Sequence, residues 1–236
     1  MPHGELVIEL HNDSKNYRGL RPLRIAHLEL RAGQSMALLG FDQVTAEVLV
    51  DLVTGATTPE AGEVIVFGEP TTAIADDQAW LKLLDRFGLL SERAVLVEQF
   101  TAEQNLIVPH TLDLEDVPDA LRLDVRRLGE EIGLTPEELD AATGALSPAA
   151  RLRIRLGRAL ATQPAVLLAE HPNASLSADD TAVFAADLSR IIARRALAAL
   201  VMTADRTFAH AVSDEVLTLQ PASGELKRAA GWRRWF

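Results

Sequence analysis

Cysteine is absent from all 236 residues, so disulfides and thiolate metal sites are excluded and a reducing compartment is permitted. No apolar run approaches the ~20 residues that a membrane-spanning helix needs. The opening stretch MPHGELVIELHNDSKNY carries acidic residues early and has no apolar signal core, so it does not read as a secretory leader. Positive charge is in short supply: 23 Lys and Arg face 34 Asp and Glu, a formal net charge of -11 and a pI near 5.0. A surface of that sign repels phosphates and argues against non-specific nucleic-acid binding. The expected setting is the cytoplasm, with any contact to the inner face of a membrane made through partners. The 48% hydrophobic and 24% charged content is that of a globular protein. The length allows one large α/β domain or two small ones.

Three stretches alternate apolar and polar residues as half-buried strands do: LVIELH, RIAHLELRAG and GEVIVFGEP. SMALLG and PAVLLAE are short continuous apolar runs, the mark of strands covered on both faces of a parallel sheet. ALAALVMTAD reads the same way, although its first half equally suits the end of a helix. TAEVLVDLVTG sets Val48, Leu49, Leu52 and Val53 on one helical face and closes at Gly55. Thr101 and Gln104 have capping-box spacing. From about Val108 to Ala145 the chain is rich in charge and helix formers, punctuated by Pro109, Pro118 and Pro136. DTAVFAADLSRIIARRALAAL forms a long amphipathic helix. The pattern predicts one α/β domain over residues 1–236 with a mixed central sheet. An antiparallel β portion lies near its N-terminus and a helical subdomain covers about 99–160.

The segment MALLGFDQVTAEVLVDLVTG, Met36 to Gly55, is a buried strand, a glycine, a polar loop and a helix. That is the scaffold of a phosphate-binding loop of the form G-x-x-x-x-G-K-[ST]. Gly40 is in place, but Thr45, Ala46 and Glu47 stand where the second glycine, the lysine and the hydroxyl belong. A Cβ at Thr45 hinders close approach of phosphate to backbone, and Ala46 carries no positive charge. Glu47 adds a negative one. A like charge roughly 4 Å from a phosphate costs on the order of 4 kcal/mol at an effective dielectric near 20.

With these pieces in this order, the chain resembles the ATP-binding cassette of ABC transporters over nearly its whole length. NDSKNYRGL is similar to the segment bearing the adenine-stacking aromatic, which gives that role to Tyr17. RFGLLSERAVLVEQFTAEQNL is similar to the glutamine loop, with Glu92 at the glutamine position. LSPAARLRIRLGRALATQPAVLLAEHPNASL resembles the signature motif leading into the Walker B strand. MTADRTFAHAVSDEVLTL resembles the switch-histidine strand and the helix after it. The resemblance assigns nucleotide contacts to Tyr17, Gly40, Thr45, Ala46, Glu47 and Val48, and signature contacts to Leu146 and Ser147. It sets Glu170 at the Walker B aspartate, His171 at the catalytic glutamate and Ala204 at the switch histidine. Pro148, Ala149 and Ala150 replace the signature's two glycines and its following glutamine. It implies a P-loop NTPase-like fold, ATP and Mg²⁺ as cofactors, and a membrane permease subunit or a second cassette as partner.

Each position also has a plainer role. Tyr17 could cover apolar surface at a strand end, and Glu170 could hydrogen-bond at the sheet end. His171 could be structural. Ser147 suits a helix N-cap with Pro148 at the first helical position, and Glu130, Glu131, Glu137 and Glu138 read as a solvated face. The terminal WRRWF within 229–236 suits an anionic membrane surface, a partner groove, or burial against its own last strand. Three functions fit this pattern. The expected one is a catalytically degenerate, non-hydrolysing subunit of a transport-related assembly. The second is a working ATPase with non-standard residues, which needs a substitute cation; Arg151, Arg153 and Arg155 follow the signature as candidates. The third is a regulatory module for a small cationic ligand, held by Tyr17, Asp42 and Glu47.

Overall fold

The computed structural model describes residues 4–17 and 19–228. Three N-terminal strands, β1 (Leu6–Lys15), β2 (Leu23–Arg31) and β4 (Ala61–Val66), pair antiparallel in the order β2-β1-β4, and the two-residue β5 (Glu69–Pro70) turns back on β4. The second sheet has six strands in the order β10-β9-β3-β8-β7-β6. Its members are β3 (Ser35–Leu39), β6 (Phe87–Leu90), β7 (Val166–Glu170), β8 (Ala198–Met202), β9 (Glu215–Gln220) and β10 (Glu225–Arg228). All neighbours in it run parallel except β10, which pairs antiparallel with β9. The mixed central sheet and the antiparallel N-terminal sheet expected from the sequence are both present.

Strand alternation divides the interior in two. Ala37 and Leu39 of β3 face one apolar core with Leu167 and Ala169 of β7; Met36 and Leu38 face the other with Val166 and Leu168. The first core is closed by helices α3 (Ala102–Ile107), α4 (Asp119–Glu131), α5 (Pro136–Asp140), α6 (Pro148–Leu160) and α7 (Ala178–Arg195). The second is closed by the antiparallel sheet and α1 (Gln43–Val53). Every residue of β7 and β8 is buried, as strands covered on both faces require. The sheets also meet directly where the Ala26 amide donates to the Gly224 carbonyl at 2.8 Å.

Two further helices flank the sheet, α2 (Asp77–Leu84) and α8 (Arg206–Val212). The Thr101 box forms as its spacing predicts: the Gln104 amide donates to Thr101 Oγ1 at 3.1 Å, and the Thr101 amide donates to Gln104 Oε1 at 2.9 Å. Pro118 is the N-cap of α4, and Pro136 opens α5 behind its own capping box of Thr135 and Glu138. The ambiguous ALAALVMTAD resolves at Ala196, whose left-handed φ of 49° stops α7 before β8 begins. One expectation needs correction. Glu131 does not belong to a solvated face: Arg195 grips both its oxygens, at 2.9 and 2.6 Å, and this hydrogen bonding holds the carboxyl below its ordinary pKa.

β6 and α6 pack closely at Gly88. A Cβ on Gly88 would collide with the Ala159 carbonyl oxygen and the Pro164 ring. Neither backbone nor ring yields cheaply, so Gly88→Ala is expected to lower stability by about 1–3 kcal/mol. Thermal unfolding that moved by less than a degree would contradict that account of the seam.

Candidate functional site

The site expected from the sequence lies at the C-terminal ends of β3, β7 and β8, beside the start of α1. β3 ends at Leu39, and Gly40 turns the chain with φ of +88°. Phe41 is buried, and Asp42 then caps the helix. Its Oδ1 accepts from the Thr45 amide at 2.8 Å and from Thr45 Oγ1 at 2.7 Å, while the Asp42 amide donates back to Thr45 Oγ1 at 2.9 Å. The helix therefore starts two residues earlier than the TAEVLVDLVTG pattern sets it. Asp42 and Thr45 form a capping box, and the amide of the helix's third residue is already satisfied by the chain's own carboxylate. Those same contacts, the Thr45 amide first and then its hydroxyl, hold Asp42 below the usual carboxylate range, with His171 adding to the effect.

The three residues at the motif positions point different ways. Thr45 is buried in its box, and Ala46 is fully buried in the core beneath the antiparallel sheet. Glu47 lies on the partly exposed side of α1, taking a 3.0 Å hydrogen bond from Gln43 Nε2. Val48 packs against the same core as Ala46.

At the end of β7, Glu170 is 1% exposed and does not stand free. Ser91 Oγ donates to its Oε2 at 2.5 Å, Arg93 Nε donates to the same oxygen at 3.1 Å, and the Arg93 terminal nitrogen pairs with Oε1. A second arm of the guanidinium reaches Asp51 on α1 at 3.7 Å. Burial works against this arginine, but Glu170, Asp51 and Glu47 together raise its pKa above the ordinary value. A fixed cation thus sits among three carboxylates. Sequence reasoning passed over it: Glu92, the motif position, is exposed, and its neighbour carries the contact. The local signal is a positive charge three residues past the end of β6.

The loop from Ser91 to Phe100 is held from its other side too. Arg155 Nε donates to the Ala94 carbonyl at 3.2 Å and an Arg158 terminal nitrogen to the Val95 carbonyl at 2.7 Å. Desolvation lowers the pKa of both arginines. Asn105, fully buried, donates to the Val97 carbonyl at 2.9 Å and to Thr143 Oγ1 at 3.0 Å, joining this loop to the segment before the signature. Arg151 binds the Thr143 and Gly144 carbonyls, and Arg153 binds the Ile132 carbonyl and Asp187. The arginines considered as substitute cations are therefore structural ties.

Ser147 caps α6 as its spacing predicts, with Ala150 donating to Oγ at 3.1 Å and Pro148 at the first turn; Leu146 packs on the helical core. His171 takes a left-handed φ of 43°, its amide donates to the Met202 carbonyl at 2.8 Å, and its Nε2 is buried without a hydrogen-bond partner. Ala204 is exposed between β8 and α8. Tyr17 is half-buried against the antiparallel core, its ring lying over the Gly19 backbone. The aromatic and basic tail lies outside the described residues. Among those residues, no helix is long and apolar enough to cross a membrane, and no three His, Asp or Glu side chains stand together as metal ligands.

A family model described as ABC transporter matches residues 23–174. The chain belongs to the ABC transporter ATP-binding cassette family. This cassette is 28% identical to the lipoprotein-releasing system ATP-binding protein LolD of Gluconobacter oxydans, over 92% of this chain and 94% of the relative. It is 26% identical to the methionine import ATP-binding protein MetN 1 of Pseudomonas syringae, over 90% of this chain but only 64% of that protein. Among solved structures, the dimeric cassette MJ0796 superposes with a TM-score of 0.76 at 20% identity, covering 94% of this chain and 97% of its own. CbiO1 of Clostridium perfringens, part of the complex cbiONQ, gives 0.79 at 18%, covering 94% and 87%. At those identities the likeness speaks for the fold.

Proposed function

We propose that this cassette, acting as one unit over residues 1–236, is a non-hydrolysing structural or regulatory subunit of a transport-related assembly. A membrane permease subunit or a second, active cassette is its partner. The observation that carries the reading is that both charges a bound Mg-triphosphate would bring are already supplied by the chain. Asp42 takes the amide and hydroxyl at the start of α1, and the Arg93 guanidinium takes the Glu170 carboxylate. The residues do not fit the group: a phosphate must displace or repel Asp42, and a metal must displace Arg93. Ala46 offers no ammonium, and Glu47 offers a third negative charge.

The relatives named for lipoprotein release and for methionine import support the transport setting. The competing reading, hydrolysis with non-standard residues, requires an available cation; Arg93 is engaged by Glu170 and Asp51. Regulation by a small cation would instead use the acidic edge of α1, Asp42 with Glu47. Titration calorimetry of the purified protein with Mg-ATP is expected to give no binding tighter than about 1 mM. Micromolar binding, or phosphate release that disappears in a Glu170→Gln variant, would overturn the proposal.

A further inference from the structure

Away from that site, β1 carries a buried acid that the cassette reading does not use. Asp13 is 3% exposed, and neither of its carboxylate oxygens has a hydrogen-bond partner. The cause is a bulge. β1 pairs with β4 through His11 and Glu63, loses register, and resumes at Ser14 and Ala61. Asn12 takes a left-handed φ of 53° there, which inverts the alternation and turns Asp13 inward where Ile8 and Leu10 precede it.

Gly62 locks this arrangement from across the pair. With φ of +87°, it lets the strands approach so closely that a Cβ would fall 2.5 Å from the Asn12 carbonyl oxygen and 2.6 Å from the Asp13 Cα. That close approach fixes the Asn12–Asp13 backbone that turns the carboxyl inward. β2 places apolar Ile25 opposite Asp13. The charged groups acting on it are His11 on its own strand, which favours ionisation, and Glu63 on β4, which opposes it. The His11 and Asp13 amides pull toward ionisation as well, but neither completes a hydrogen bond.

We propose that Asp13 is a proton-operated latch: protonated, it lets the bulge close over it, and ionised, it loosens the β1–β4 seam beyond Ser14. Past the latch lie the Lys15 contact to the Thr58 carbonyl, at 2.8 Å, and the segment bearing Tyr17. Burial raises the Asp13 pKa from 3.8 to about 7, so the change falls at physiological pH. Because the folded pKa lies above the unfolded one, the native state holds a proton that the unfolded chain has released throughout that interval. Stability is fully present below about 4, falls as pH rises, and is flat again above about 7.

The test is a carboxyl ¹³C NMR titration of Asp13 in the intact chain, paired with urea unfolding of wild type and Asp13→Asn. A midpoint near 7 is expected. The wild-type folding equilibrium should weaken relative to the variant by about tenfold per pH unit between 4 and 7, since one proton is linked. Amides of Ser14, Lys15 and Ala61 should lose protection above pH 7 in wild type only, after correction for intrinsic exchange. A midpoint near 4 would overturn the proposal, as would a pH-independent difference between the two proteins. If the variant does not fold, the wild-type titration and exchange profile decide alone.

Discussion

Arg93→Ala is expected to destabilise the cassette more than Glu170→Gln, although both remove the same ion pair. The asymmetry follows from burial: the Glu170 side chain is 0% exposed and that of Arg93 39%. Deprived of its partner, the arginine turns toward water and keeps Asp51. Deprived of the arginine, Glu170 remains a charge inside the sheet with one hydroxyl donor, Ser91. Removing one partner of a fully buried pair costs about 3–5 kcal/mol; with Ser91 retained and one partner half in solvent, about 2–3 is expected here. Glu170→Gln should cost about 1 kcal/mol or less, because a neutral amide still accepts from Ser91. The double variant should recover most of the Arg93→Ala loss, an interaction energy that a double-mutant cycle in urea reads directly. Equal losses from the two single changes would mean that Glu170 is not carrying an isolated charge. Amides from Arg93 to Val97 should exchange faster in Arg93→Ala, since the loop loses the guanidinium's tie to β7 while keeping those of Ser91, Arg155 and Arg158.

How much of this was legible in the sequence depends on the range of the signal. SMALL and VLLAE announce doubly covered strands because burial on both faces leaves polar residues only at their ends, Ser35 and Glu170. α2 carries Trp80, Leu83 and Leu84 at helical spacing, but eight residues give barely two turns of that period and none of them is fully buried, so the signal is short. The start of α1 shows two local signals in conflict. A reading toward a phosphate loop begins the helix at Thr45, whereas the Asp42-to-Thr45 spacing is itself a cap, and the cap prevails. Arg93 and Glu170 lie 77 residues apart, and nothing in the chain says which of its arginines will meet that carboxylate. Arg151, Arg153 and Arg155 are near the signature in sequence, but on the folded helix they reach backbone carbonyls instead. Asp13 is hidden for another reason: in LHNDSK a strict alternation buries Asn12, and only the left-handed turn at that residue exchanges the two.

The second large effect concerns restoring the phosphate loop. Thr45→Gly, Ala46→Lys and Glu47→Ser together rebuild the motif, yet they are expected to leave Mg-ATP binding weaker than about 1 mM. Two obstacles survive them. The Asp42 carboxylate still lies at the helix start, where a phosphate within about 4 Å would meet a repulsion on the order of 4 kcal/mol before screening. Arg93 still holds the carboxylate that a metal would need. Adding Asp42→Asn removes the charge and keeps a side-chain acceptor for the cap, so its cost in stability should be a few tenths of a kcal/mol. In the rebuilt background it should tighten Mg-ATP at least tenfold, and Arg93→Gln should add a further gain that appears only when Mg²⁺ is present. Asp42→Asn alone, without the lysine, should bind nothing. Micromolar binding by the triple variant alone would show that the motif residues were the whole barrier, and that the internal pairs yield to nucleotide. A magnesium-independent gain from Arg93→Gln would show that the guanidinium opposes the triphosphate by its position and not by holding Glu170.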